Sequence, residues 1–133
     1  MSVGILLVTH GRLGQLLLET ITEMMGNLPL ATAVLEVRRV QNTEVMLRQG
    51  TRLIEKLDQG DGVLILTDAF GSTPSNIATR LGTTPRTQVV AGINLPMLVR
   101  IFNYPKLDLA AITQNAVEGG QRGVVICQQP ESK

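Results

Sequence analysis

The sequence predicts an α/β domain with a doubly wound, mainly parallel sheet and helices on both of its faces. Three observations lead there. Short apolar runs alternate with segments of helical period along the whole chain. The runs are apolar at almost every position, as in strands covered on both sides, rather than at alternate positions. The connections are short, and no repeat, linker or low-complexity block interrupts them, so strand–helix–strand units feed one sheet. At 133 residues the chain fits one domain that buries roughly two-thirds of its unfolded surface.

Each element follows in order. Val3–Val8 is a continuous apolar run and reads as the first strand. Leu13, Leu16, Leu17, Ile21 and Met24 recur at three- and four-residue steps, which marks a helix face ended by Gly26. Ala33–Val37 is the second strand. Asn42 is placed to cap a second helix, with Glu44 in its first turn and Met46, Leu53, Ile54 and Leu57 facing inward, before Gly60-Asp61-Gly62 breaks it. Val63–Thr67 is the third strand. A third helix begins at Thr73 as N-cap with Pro74 at its first position and ends near Leu81 before Gly82. Gln88–Ala91 is the fourth strand. Asn94 caps a short helix with Leu95, Met97, Leu98 and Ile101, a further helix runs from about Leu107 to Val117, and Val124–Cys127 is a last strand. Residues 1–128 are expected to form the domain and 129–133 a loose polar tail.

Composition excludes several classes of function. Twelve basic and eleven acidic residues are spread evenly, and aromatics make up only 2% of the chain. Nucleic acid is therefore not an expected partner, because it calls for a basic face or stacking platforms. One histidine and one cysteine rule out a disulfide within the chain and argue against a metal site. No cofactor is expected. The N-terminus lacks the basic region of a signal peptide, and the first apolar run is far too short to cross a bilayer, so a cytoplasmic location is expected.

In open α/β sheets, ligands bind beyond the carboxyl ends of the strands where the strand order reverses. Right-handed crossovers leave few topologies, and the order 2-1-3-4 sets strands one and three side by side. Thr9-His10-Gly11 follows strand one, Asp68–Thr73 follows strand three, and Gly92–Pro96 follows strand four. His10 and Asp68 then face each other across the crevice. A carboxylate that accepts Nδ1–H fixes the imidazole tautomer and leaves Nε2 as a nucleophile. The Gly71-Ser72-Thr73 helix start adds N–H groups, hydroxyls and a positive helix end, which suit a phosphoryl group.

Each residue also has a structural reading. Asp68 can cap a turn, Ser72, Thr73 and Asn94 can be plain helix caps, Arg38 and Arg39 read as solvated, and Cys127 reads as a small buried hydrophobe. GxxxxGK[ST] is absent, no GxGxxG follows strand one, and a Ser72–His10–Asp68 hydrolase lacks the GxSxG elbow.

Gly4–Gly11 (GILLVTHG), Gly62–Asn76 (GVLILTDAFGSTPSN), Val90–Leu98 (VAGINLPML) and Gly120–Val124 (GQRGV) resemble, in family order, the mannose-type (type 4) IIA component of the phosphoenolpyruvate-dependent sugar phosphotransferase system (PTS). The resemblance implies a transferase that carries phosphate on Nε2 of His10 with Asp68 as its Nδ1 partner. It implies phosphoryl contacts from Gly71, Ser72 and Thr73, and a pocket wall made of Phe70, Asn94, Leu95, Pro96 and Met97. The implied donor is the phosphocarrier protein HPr and the implied acceptor is a IIB component on a separate chain, with the membrane met only through the transporter complex. A homodimer that exchanges Val124–Cys127 as an edge strand is implied as well. Two further readings stay open: a regulatory module read through its phosphorylation state, and the phosphotransferase subunit of a phosphoenolpyruvate-dependent dihydroxyacetone kinase.

Overall fold

The computed structural model describes residues 2–128. The chain runs β1 (Gly4–His10), α1 (Leu13–Met25), β2 (Thr32–Val37), α2 (Thr43–Leu57), β3 (Val63–Thr67), α3 (Thr73–Leu81), β4 (Thr87–Ala91), α4 (Leu95–Asn103) and α5 (Leu109–Arg122). The four strands form one parallel sheet in the order β2-β1-β3-β4, as the sequence predicts. Val8 pairs with Thr67, the last residue of β3, and His10 with Val37, the last of β2, so β1 ends level with β2 and runs two residues past β3.

Alternation along the strands splits the core in two. Ile5, Leu7, Leu64 and Leu66 face α1, α4 and α5, and pack on Ile21, Leu98, Ile101 and Ile112. Leu6, Val8, Ile65 and Val37 face α2 and α3, and pack on Met46, Leu57, Ile77 and Leu81. The inner strands β1 and β3 are buried from end to end up to His10, which is why they read as unbroken apolar runs. His10 continues the Leu6–Val8 side and emerges on the α2–α3 face.

Three expectations need correction. Ser72, not Thr73, caps α3: its Oγ accepts the Ser75 N–H, which leaves Pro74 at the second helical position. The final helix, expected from about Leu107 to Val117, runs from Leu109 to Arg122 and takes in Gly119 and Gly120. Those glycines let α5 approach α4, since a Cβ on Gly119 would sit 2.5 Å from the Arg100 Cβ. Finally, Cys127 is exposed rather than buried; its segment Val124–Cys127, expected as an exchanged edge strand, pairs with no strand of its own chain among the described residues, and Val124, Val125 and Ile126 are exposed. A strand exists only with a partner, and within the described residues this segment meets no sheet edge. The expected tail, 129–133, lies outside the described residues. No helix among the described residues is long and apolar enough to cross a membrane.

Candidate functional site

The chain leaves β1 towards β2 on one side and leaves β3 towards β4 on the other, so a crevice opens between the ends of β1 and β3. His10 closes β1 there. The next residue, Gly11, turns the chain with φ +45°, and its N–H donates to the Val37 carbonyl at 3.0 Å. Buried Thr9 holds the far side of this turn: its Oγ1 accepts the N–H of Gly14 at 2.8 Å. That bond serves the start of α1, whose own cap residue Arg12 makes no side-chain bond.

Asp68 follows β3 directly. Its Oδ2 accepts both the His10 backbone N–H at 2.9 Å and the ring Nδ1–H at 2.7 Å, while Oδ1 accepts the Ala69 N–H at 2.9 Å. Burial pushes the Asp68 carboxyl up, but the His10 backbone N–H, the His10 ring and the Ala69 N–H outweigh it. The group therefore titrates below the usual carboxylate value. An ionised Asp68 at neutral pH holds the proton of His10 on Nδ1 and leaves Nε2 as the ring's free lone pair. The histidine side chain is 58% exposed and that of Asp68 only 10%. The carboxylate is thus sheltered while most of the imidazole is open to solvent.

The α3 start stands beside this pair, but its two hydroxyls are used differently. The Ser72 hydroxyl donates to the Ala69 carbonyl at 2.6 Å and accepts the Ser75 N–H at 3.4 Å. The Gly71 N–H is also engaged, donating to Ser75 Oγ at 3.3 Å. By contrast, the N–H and hydroxyl of Thr73 make no hydrogen bond among the described residues. Thr73 lines a cleft of about 450 Å³ with His10, Val37, Met46 and Pro74. Arg38, Arg39, Gln41 and Thr43 complete its lining.

The other sequence-predicted residues lie elsewhere. Phe70 is 89% exposed and borders a separate groove with Ser75, Thr79 and Val89, so it is not a wall of the His10 cleft. The turn that places Asp68 against His10 carries Phe70 outward. Asn94 caps α4, accepting the Met97 N–H at 2.9 Å and donating to the Gly120 carbonyl at 3.1 Å. Met97 is buried in the core on the opposite face, with Leu95 packed against it, and Leu95, Pro96 and Asn94 are absent from the cleft lining. Arg38 and Arg39 are exposed, as expected of solvated side chains, and both also border the cleft. Their position directly after a strand that neighbours the His10 strand was the available signal.

Comparison with known proteins is consistent with this geometry. Residues 4–117 match the family model EIIA-man, described as "PTS system fructose IIA component". The chain is 32% identical over 130 residues to the PTS mannose-specific EIIAB component of Escherichia coli K12, covering 93% of this chain and 39% of that protein. It therefore spans about two-fifths of the length of the curated relatives it matches. The mannose/sorbose-specific IIA subunit from Enterococcus faecalis superposes with a TM-score of 0.87 at 26% identity over the whole of both chains. A PTS IIA protein associated with the fucose utilization operon of Streptococcus pneumoniae gives 0.76 at 25% identity, covering 95% of this chain and 96% of its own.

Proposed function

The chain belongs to the EIIA-man family of sugar phosphotransferase-system components, and from that premise we propose that it takes a phosphoryl group from phospho-HPr onto Nε2 of His10 and passes it to a IIB component. The observation that carries this reading is the pair of bonds from Asp68 Oδ2 to the backbone and ring of His10. One buried carboxylate oxygen fixes both the position and the tautomer of the only histidine in the chain.

In the forward step the Nε2 lone pair forms the new N–P bond. The donor's N–P bond breaks, and its electron pair leaves with the donor imidazole, which is reprotonated from solvent. The His10 ring becomes cationic, and Asp68, already ionised, offsets that charge through the bond it makes to Nδ1–H. Transfer onward is the same step reversed, with the IIB side chain as nucleophile. Thr73, with an amide and hydroxyl unclaimed by the fold, is better placed than Ser72 to bind the phosphoryl oxygens.

The sugars for which the relatives are named (mannose, mannose/sorbose and a fucose operon) differ from one another, so the reading rests at the phosphoryl step. We take residues 1–128 as one IIA domain acting in the cytoplasm, where HPr is charged. We also take the chain to be a homodimer, in which exposed Val124–Cys127 of each copy adds to the unpaired edge of the other's β4. Sedimentation tests the dimer: deletion from Val124 onward should give monomers, and a monomeric full-length chain would refute the exchange.

Phosphoenolpyruvate, enzyme I and HPr should together place one acid-labile, base-stable phosphate on this protein. His10→Ala should abolish the label while leaving the fold intact, because the side chain is largely exposed. Absence of label on the native chain, or label retained in His10→Ala, overturns the reading.

A further inference from the structure

We propose that Arg38 and Arg39 bind the phosphoryl group at His10 and speed its transfer. The inference deepens the phosphohistidine reading above and rests on it. Three observations converge on these two side chains.

The first is register. Val37 pairs with His10 across the β1–β2 ladder, and its carbonyl accepts the Gly11 N–H at 3.0 Å. Adjacent strands are only about 4.8 Å apart, so residues 38 and 39 enter beside the nucleophile by backbone geometry alone. The turn behind them is fixed: the Gln41 N–H donates to the Arg38 carbonyl at 3.1 Å, and the Arg38 N–H donates to Gln41 Oε1 at 3.3 Å. The second is reach. Nη1 of Arg38 lies 3.9 Å from where a Cβ on Gly11 would stand, so the guanidinium hangs over the residue that follows His10.

The third is charge. Both arginines line the cleft that His10 opens into, and no carboxylate belongs to that lining among the described residues. Glu36 pairs with Arg38 at 2.9 Å, and Asp68 sits on the Nδ1 side of the ring. Arg39 has no ion-pair partner among the described residues. The first residues of α2 (Thr43) and α3 (Thr73) border the same cleft, which adds two positive helix ends. A phosphoryl group arriving at Nε2 therefore meets at least one uncompensated guanidinium, whose planar fork matches phosphate oxygens. In transfer, charge spreads over the equatorial oxygens while the N–P bonds form and break, and that is the charge an arginine offsets.

A small donor isolates this effect from protein docking. Phosphoramidate delivers its phosphoryl group to Nε2, with the P–N bond breaking and ammonia leaving. The native chain, Arg39→Gln, the double variant Arg38→Gln/Arg39→Gln and the charge-restoring Arg39→Lys are labelled with it, and thermal unfolding checks that each is folded. The double variant should be labelled about tenfold more slowly and Arg39→Gln about threefold, with Arg39→Lys recovering part of the loss. Native-like rates in the double variant overturn this inference alone. Slowing confined to phospho-HPr also overturns it, because the arginines then meet the partner and not the phosphoryl group. Failure of the native chain to label with either donor overturns the phosphohistidine reading as well.

Discussion

Strand β3 has a carboxylate ahead of it and another behind it, and both titrate below the usual carboxylate range. Asp58 precedes the strand. The two bonds from Arg86 Nε and Nη2, at 2.7 Å each, lower its pKa most, followed by the Gly60 N–H; the Gly62 N–H adds to them against the cost of burial. Asp68 follows the strand. Burial is the largest influence there and raises its pKa, yet the His10 N–H, the His10 ring and the Ala69 N–H win. Both aspartates anchor a loop, and the difference lies in the partner. Arginine stays charged at every relevant pH and offers no lone pair, so Asp58 forms a clip. Histidine exposes a second nitrogen whose chemistry the carboxylate controls. A depressed carboxylate marks chemistry only where its partner can react.

That comparison is broken most sharply by Asp68→Asn. An amide offers one oxygen where Oδ2 of the carboxylate serves two donors, so either the ring position or its tautomer is lost. Transfer to His10 should slow by about a thousandfold, measured by rapid-quench labelling with phospho-HPr, and an unchanged rate would remove Asp68 from the mechanism. Asp58→Asn should leave that rate within about twofold. The glycines separate the two ends on stability. Gly62 and Gly71 both have φ +86°, but a Cβ on Gly62 would lie 2.5 Å from the Arg86 carbonyl oxygen, whereas one on Gly71 meets nothing within 4 Å. Gly62→Ala should cost about 3 kcal/mol, strain and overlap combined, and Gly71→Ala about 1 kcal/mol, strain alone. Urea unfolding checks both, and equal losses would mean the Asp58 end is not tightly packed. Asp58→Asn comes below these, with Tm lowered by about 2 °C.

The same contrast explains what the sequence made legible. Strands β1 and β3 are covered on both faces, so their apolar runs gave sheet order, crevice and the His10–Asp68 pairing. Features that depend on what a surface residue meets were not legible. Adjacent Ser72 and Thr73 can each cap a helix, and the preference of proline for the first helical position pointed to Thr73, whereas Pro74 occupies the second. Arg38 and Arg39 carry no period, and only the β1–β2 register brings them to the cleft. The last helix is expected to end near Val117, because a sequence does not show the neighbouring helix that Gly119 and Gly120 make room for. Val124–Ile126 has the composition of a strand, but its partner is not within the described residues.

The smallest expected effect is acid sensitivity, and its sign follows from the two carboxylates. A group whose pKa is lower in the folded state contributes stability that is complete above its unfolded value, here 3.8, and is lost as pH falls from there through the folded value. The urea midpoint should therefore stay level from pH 7 to about 5 and decline only on further acidification. Asp58 is depressed further than Asp68, because two guanidinium bonds dominate there whereas burial is the largest influence on Asp68 and opposes its depression, so Asp58→Asn should flatten that decline more than Asp68→Asn. Its Arg86 partner is solvent-exposed, so high salt should weaken the Asp58 share more than that of sheltered Asp68. If the two variants flatten the curve equally at low salt, the clip at the start of β3 holds no more tightly than the histidine at its end.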